Sequence, residues 1–198
     1  MAIRFIVGGS GCPENQKIFF DDGGKQKFID CKVSDGDPAD KDNTALDAKL
    51  AEEKQEHGDL EIMDMVDSYR KLPLKLRLFY RRLAESYNYD FVMKIDDDTY
   101  VNVDRVLKLL QDDKVPLENT WYGHMRCNWV RVTNNESKWH DDEYTAGRYP
   151  CFGGGGGNLL THDLADWVGV NAPLLKDYQG EDISMGIWLA ARFPDIIT

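Results

Sequence analysis

The sequence predicts an α/β fold with a mainly parallel central sheet flanked by helices. Two observations carry that expectation. Short, branched apolar runs at residues 3–7, 60–66, 91–95 and 158–161 have the length and composition of strands. Between them lie stretches whose apolar residues recur at helical spacing, so strands alternate with helices. In such folds ligands gather beyond the carboxyl ends of the strands. A length of 198 residues suits one domain with a sizeable core, and a single domain over 1–198 is expected.

Residues 3–7 form the first expected strand, closed by the turn Gly8-Gly9-Ser10-Gly11. Residues 21–43 are polar and rich in Asp, Gly and Lys. They read as a surface excursion with one short strand at Phe28-Ile29. Asn43-Thr44 caps a helix reaching about His57, where Gly58 stops it. Residues 60–66 alternate apolar with acidic residues, as a strand does. Over 71–87, Leu72, Leu76, Phe79 and Leu83 mark a helical stripe, with Arg77, Arg81 and Arg82 elsewhere on the cylinder. Residues 91–95 form a buried strand that runs into Asp96-Asp97-Asp98. A helix with Val103, Val106, Leu107 and Leu110 on one face follows, then a strand over 121–125. Residues 126–148 are polar and aromatic without periodicity. Five glycines, Gly153 to Gly157, lead into a strand over 158–161 and helices over 162–170 and 181–191. The last helix is expected to bury Ile183, Ile187, Trp188 and Ala191.

Charge and composition exclude several classes. Acidic residues outnumber basic ones by 35 to 24, a net charge of −11, which opposes general nucleic-acid binding and docking on anionic lipid. No stretch reaches the ~18 apolar residues of a membrane span. The N-terminal apolar run is too short for a signal peptide. None of Cys12, Cys31, Cys127 and Cys151 stands in a CxxC, which argues against zinc. An oxidising compartment would allow two disulfides, whose pairing spacing alone does not set.

Asp96-Asp97-Asp98 is the strongest chemical signal. If the backbone stays extended, Asp96 and Asp98 point the same way, and like charges that close want a cation between them. Hard carboxylate oxygens suit Mg²⁺ or Mn²⁺, through which an acidic protein can hold a diphosphate. Alone, the triplet reads first as a solvated acidic turn; the apolar strand before it and Tyr100-Val101 after it tip the balance towards a site. A calcium loop is disfavoured because the sixth position from Asp96 is Val101, where glycine is required. Glu181-Asp182 open a helix. Acids there are usual for electrostatic reasons, but beside a carboxylate–metal site they become candidate general bases. The glycine run reads either as a linker or as backbone closely approached by a ligand or strand, and no GK[ST] follows to make a P-loop. Trp121, Trp129 and Trp139 suit sugar stacking or packing. Asn135-Glu136-Ser137 is a glycosylation sequon.

In this order, the segments resemble glycosyltransferase family 31, the β-1,3-galactosyl- and N-acetylhexosaminyltransferases. The likeness begins at Arg4-Phe5-Ile6-Val7-Gly8. It continues through His57-Gly58-Asp59-Leu60, Asp64, Asp67-Ser68-Tyr69 and Lys75 to Lys94-Ile95-Asp96-Asp97-Asp98-Thr99-Tyr100-Val101. It then runs over Tyr149-Pro150, Gly155-Gly156-Gly157 and Glu181-Asp182-Ile183-Ser184-Met185-Gly186. Asn128-Trp129, Lys138-Trp139 and the run from Tyr178 to Trp188 look most like the N-acetylgalactosaminyl-transferring branch.

The resemblance implies a GT-A-type nucleotide-sugar-binding domain and an inverting transferase. That enzyme would move galactose, GalNAc or GlcNAc from a UDP-sugar donor to a glycan acceptor hydroxyl on protein or lipid, with Mn²⁺ (or Mg²⁺) as cofactor. By the same resemblance Asp98 binds the metal, with Asp96 assisting. Gly8, Asp64, Lys75, Asp96, Asp97, Gly155 and Gly157 lie toward the nucleotide-sugar. Asp182 is the catalytic base, with Glu181 the second choice. Trp129 and Trp139 are the acceptor-side candidates. The family's setting is the lumen of the Golgi or endoplasmic reticulum, and its membrane anchor and stem are not expected in this chain. The chain departs from the family pattern at Lys71, Pro73, Leu76 and Asn158. It is expected to stop, at Thr198, short of the family's C-terminal histidine ligand, which neither His124 nor His140 matches. The alternative is an inactive carbohydrate-binding or partner module of the same fold. A metal-dependent phosphodiesterase is a weaker third reading.

Overall fold

The computed structural model describes residues 2–9, 17–22, 25–30, 44–112 and 115–192. Cys12, Cys31, Ser10-Gly11 and residues 31–43 of the expected excursion lie outside them. The described strands are β1 (Phe5–Gly9), β2 (Lys17–Asp22), β3 (Lys25–Asp30), β4 (Leu60–Val66), β5 (Phe91–Lys94), β6 (Trp121–Arg126) and β7 (Phe152–Thr161). The helices are α1 (Thr44–His57), α2 (Leu72–Ser86), α3 (Val103–Gln111), α4 (His162–Asn171) and α5 (Glu181–Arg192). The chain packs as two compact units, Met1–Phe79 and Tyr80–Thr198. Among the described residues no helix is long and apolar enough to cross a membrane.

In the first unit β1 and β4 pair in parallel, Phe5 against Leu60 through Gly8 against Met63. The register then slips, so that Gly9 faces Val66. Helix α1 ends where the sequence says it should. Gly58 adopts φ 68°, a left-handed turn that costs little without a Cβ, and its N–H donates to Lys54 O at 3.0 Å. The pleat of β4 buries Met63 and Met65 and leaves Asp64 exposed. The two methionines pack on Leu74, with Ile6, Leu78 and Phe79 partly buried around them. Burying such side chains is worth about 1.5–3 kcal/mol each. β2 and β3 pair antiparallel, Lys17 against Asp30. The strand expected at Phe28-Ile29 is part of β3, and β2 has no counterpart in the sequence reading.

Helix α2 differs from expectation in its buried face. Pro73, Leu74, Arg77, Tyr80 and Leu83 turn inward, in place of the Leu72-Leu76-Phe79 stripe. Leucines at every second position (72, 74, 76, 78) put apolar side chains on more than one side of the helix, and packing selects the side of Leu74. Arg77, expected elsewhere on the cylinder than the apolar stripe, is buried with its charged head, which is partnered there as a buried charge must be.

In the second unit β7 is the central strand of the sheet β5-β7-β6. Both pairings are antiparallel, Phe91 against Thr161 to Lys94 against Asn158, and Trp121 against Leu160 to Arg126 against Phe152. The mainly parallel sheet is therefore corrected: among the described pairs only β1–β4 runs parallel. The chain itself shows why. Cys127, just after β6, is disulfide-bonded to Cys151, just before β7, with Cα atoms 4.1 Å apart. A chain returning to its own strand end must pair antiparallel. Strand direction is a long-range choice that local periodicity does not encode.

Helices α4 and α5 pack on β7, and Leu159 and Leu160 of β7, Leu164, Ala165 and Val168 of α4 and Met185, Trp188 and Leu189 of α5 are all buried. The face expected for α5 is corrected as well, since Ser184, Met185, Trp188 and Leu189 are buried and Ala191 is exposed. Gly186 sets that face. A Cβ there would lie 2.7 Å from Cys151 O, so the helix sits flush on the start of β7. β5 is half-buried instead of fully buried, and Ile95 is exposed. Asn102 caps α3 by accepting the Arg105 N–H at 3.0 Å, but no α3 residue is fully buried. Trp121 is a core residue. Its Nε1–H donates to Asn158 Oδ1 at 2.9 Å, which removes it from the sugar-stacking candidates.

Candidate active site

The acidic end of β5 and the first turn of α5 meet on one cation. Lys94 Nζ donates to Asp96 Oδ1 at 2.9 Å and to Asp182 Oδ1 at 3.3 Å, and Glu181 Oε1 lies 3.3 Å away. The lysine side chain is only 16% exposed. Burial works to lower its pKa, but Asp182, Glu181 and Asp96 outweigh that and raise it, so it stays charged. Burial pushes the Asp182 carboxyl up to about 6, against the opposing pull of Lys94 and with help from Glu181. Tyr80 is buried and its phenol is raised by that burial, with Lys94 lowering and Asp182 raising it. The sequence reading had no role for Lys94. A signal was there: it stands two residues before Asp96, a spacing that shares a strand face.

The glycine run belongs to this cluster. Asp96 N–H donates to Gly155 O at 3.1 Å, and the Asp96 carboxylate occupies the space that a Gly155 Cβ would fill. Gly157 adopts φ 121° beside Met93, where a Cβ would lie 3.1 Å from the methionine Cε. Both glycines are parts of β7, which decides between linker and close-approach backbone in favour of the second. Candidates from three separated segments, Asp96, Gly155, Glu181 and Asp182, are thus brought together.

Asp96, Asp97 and Asp98 do not continue as a strand. Thr99 N–H donates to Asp96 O at 3.1 Å, closing a tight turn. The expectation that an extended backbone aligns Asp96 with Asp98 is corrected. Asp97 and Asp98 are exposed on the turn, while Asp96 faces Lys94. Among the described residues no three His, Cys, Asp or Glu side chains gather as a ready-made cage for a metal. The donor chemistry still suits a hard cation of the Mg²⁺ or Mn²⁺ kind, which takes one or two carboxylates and fills its remaining positions with phosphate oxygens and water. Asp97 and Asp98 are the exposed carboxylates of this turn.

In the first unit Asp67 ties together two of the expected nucleotide-side residues. Its Oδ2 accepts the Gly8 N–H at 2.8 Å, and both its oxygens lie 3.0 Å from Lys75 Nζ. Gly8 must be glycine, because a Cβ would lie 2.8 Å from Met65 O and 2.9 Å from Asp67 Cβ. Asp67, to which the sequence alone assigns no role, is the residue that organises this corner. Asp64 instead lines a cleft of about 290 Å³ with Gly9, Asp47, Leu50, Ile62, Met63 and Met65.

Trp129 and Trp139 are half-exposed, each with a cation over its ring, Arg126 at 5.3 Å and Lys138 at 4.6 Å. The loop that carries them is fixed to the approach to α5. Gln179 Nε2 donates to Lys138 O at 3.2 Å, and Tyr144 stacks on Tyr149 at 5.0 Å and meets Tyr178 edge-on at 5.8 Å. Ser184 Oγ accepts the Tyr178 N–H at 3.0 Å. Both tryptophans therefore share a supported loop with the segment entering the helix of Asp182.

Comparison with known proteins gives the site its context. The family model described as Galactosyltransferase matches residues 36–192. A mouse protein named UDP-GalNAc:beta-1,3-N-acetylgalactosaminyltransferase 2 is 41% identical over 148 residues, covering 75% of this chain and 29% of the relative. The zebrafish (Danio rerio) protein of the same name is 37% identical over 171 residues, 86% of this chain and 32% of its own. Beta-1,3-galactosyltransferase 7 of Arabidopsis thaliana is 26% identical over 156 residues, 74% of this chain and 39% of that protein. The chain thus spans about a third of the length of these relatives. The match spans the chain from before α1 through β5, the glycine strand and α5, so the chain belongs to the galactosyltransferase family, glycosyltransferase family 31.

Proposed function

We propose that this chain carries the catalytic machinery of an inverting β-1,3-glycosyltransferase of GT-A type. It moves a hexose or N-acetylhexosamine from a UDP-sugar to a hydroxyl of a glycan on protein or lipid. The observation that carries the reading is the meeting of Asp96 and the Glu181-Asp182 pair on Lys94, backed by Gly155. The names of the relatives support N-acetylgalactosamine or galactose as the sugar.

Asp182 serves as the base. Its carboxylate takes the proton of the acceptor hydroxyl as that oxygen attacks the anomeric carbon from the face opposite the diphosphate. One displacement inverts the configuration, so no covalent intermediate on the protein is needed. Asp98 and Asp96 are the residues that would hold a divalent cation. Such an ion, when bound, supplies neutralising charge to the leaving diphosphate. Gly155 lets the Asp96 carboxylate lie against β7 on the donor-sugar side, with Gly157 beside it; Gly8, Asp64 and Lys75 serve the nucleotide, and Asp97 assists from the turn. Trp129 and Trp139 offer apolar faces to the acceptor. The Cys127–Cys151 disulfide supports a lumenal setting, Golgi or endoplasmic reticulum, because such bonds persist in oxidising compartments.

The test is a screen of UDP-galactose, UDP-GalNAc and UDP-GlcNAc with Mn²⁺, with calorimetry of UDP binding with and without the metal. Asp98→Ala is expected to abolish metal-dependent turnover, and Asp182→Asn to retain UDP binding while losing transfer. Wild-type transfer by Asp182→Asn removes Asp182 from the role. The exposed tryptophans favour one rival, an inactive glycan-binding module. Binding to glycans without any metal-dependent binding of UDP would select it.

A further inference from the structure

We propose that Lys94 is a positioning residue for the transfer, holding the Asp182 carboxylate against the acidic end of β5. The inference rests on the reading of Asp182 as the base. An ammonium has three N–H donors and no acceptor. Three carboxylate oxygens surround this one, at 2.9 Å from Asp96, 3.3 Å from Asp182 and 3.3 Å from Glu181. The partners come from two distant parts of the chain, the turn after β5 and the first turn of α5, whose closest members are 85 positions apart in sequence (96 and 181). Without the lysine, three like charges would share one half-buried corner and repel, and Asp182 would lose the group that fixes its direction. Lys94 is itself rigidly placed. It sits in register against Asn158 of β7, and Asn158 is buried and holds Trp121. The lysine thus transmits the position of the central strand to the base. A misplacement on the ångström scale at a reacting group can cost about a hundredfold in rate, so a tie of this kind is felt in turnover.

The experiment compares the chain with Lys94→Met, Lys94→Arg, Asp182→Asn and the double variant Lys94→Met with Asp182→Asn. Turnover is measured at saturating donor and acceptor, KM for both, UDP affinity by calorimetry with Mn²⁺, and thermal midpoints. Lys94→Met is expected to lower kcat by about tenfold or more with acceptor KM changed less than about threefold. Lys94→Arg, which keeps charge and reach, is expected to recover most of kcat. In thermal melts the effects of Lys94→Met and Asp182→Asn are expected not to add, since each breaks the same contact. Wild-type kcat in Lys94→Met overturns the proposal. So does a fall in kcat shared equally by the Arg and Met variants, or additive thermal shifts. Full transfer by Asp182→Asn would instead overturn the base assignment, so the two failures are told apart.

Discussion

Gly155→Ala separates the site from the scaffold. A methyl at this position overlaps Oδ2 of Asp96 and stands 2.7 Å from its Cγ. An ordinary carbon contact is about 3.5–4.0 Å, so the carboxylate must move by an ångström or more. That movement breaks the 2.9 Å bond to Lys94. The displaced group is the end of a side chain that is 44% exposed, so it can rotate outward without disturbing the core. A half-exposed ion pair is worth about 0.2–1 kcal/mol. At about 2–4 °C per kcal/mol for a chain of this size, the thermal midpoint should fall by no more than about 4 °C. Donor binding should suffer far more, because Asp96 is the residue that turns. UDP affinity with Mn²⁺ is expected to drop about tenfold or more, equivalent to about 1.4 kcal/mol. Calorimetry and a thermal melt on the same sample check both values. Unchanged UDP affinity refutes the placement of Asp96 at the donor. A midpoint lowered by more than about 10 °C refutes the view that Asp96 alone yields.

Gly169→Ala should behave in the opposite way. A Cβ there overlaps Tyr80 O and lies 2.8 Å from Tyr80 C, and backbone cannot step aside. A loss of about 1–3 kcal/mol is expected, read in denaturant melts, with UDP affinity retained in the folded fraction. Replacing Cys127 and Cys151 together by serine opens a loop of sequence separation 24, and stability should fall by about 3 kcal/mol on the chain-entropy account, with the same result from a reductant confined to that pair. For pH, burial raises the Asp182 carboxyl to about 6, and a base works only when ionised. Transfer at saturating substrates should therefore hold above pH about 6 and fall about tenfold per unit below it. A flat profile between pH 5 and 7 would count against Asp182 as the base.

Much of the architecture was legible. Helix α1 was readable because Asn43-Thr44 and Gly58 bracket it, and β4 because Met63, Asp64 and Met65 alternate. What was not legible is what depends on distant partners. The stripe of α2 is ambiguous in a leucine every second residue, and only packing decides that Leu74, Arg77 and Tyr80 turn inward. The direction of β7 is set by its pairing with β5 and β6, and the bond between Cys127 and Cys151 closes the β6 end of that pairing. At the site, Asp96, Glu181 and Asp182 could be picked out as acids near strand and helix ends. The lysine of β5 among them was marked only by its spacing of two from Asp96, since neither strand periodicity nor helix capping asks for a cation there. The tight turn at Asp96–Thr99 was missed for a similar reason, since three aspartates suit an extended or a turned backbone equally.

The corner made by Gly8, Asp67 and Lys75 has a consequence for any anion that arrives there. The ammonium of Lys75 is already shared between two oxygens of one aspartate, and that aspartate is itself anchored by a backbone amide. A phosphate at this lysine thus joins a competition, and its grip is the difference between two rival claims on one positive charge. Loosening the incumbent, for instance by replacing Asp67 with asparagine, would make the newcomer's hold tighter and more sensitive to ionic strength.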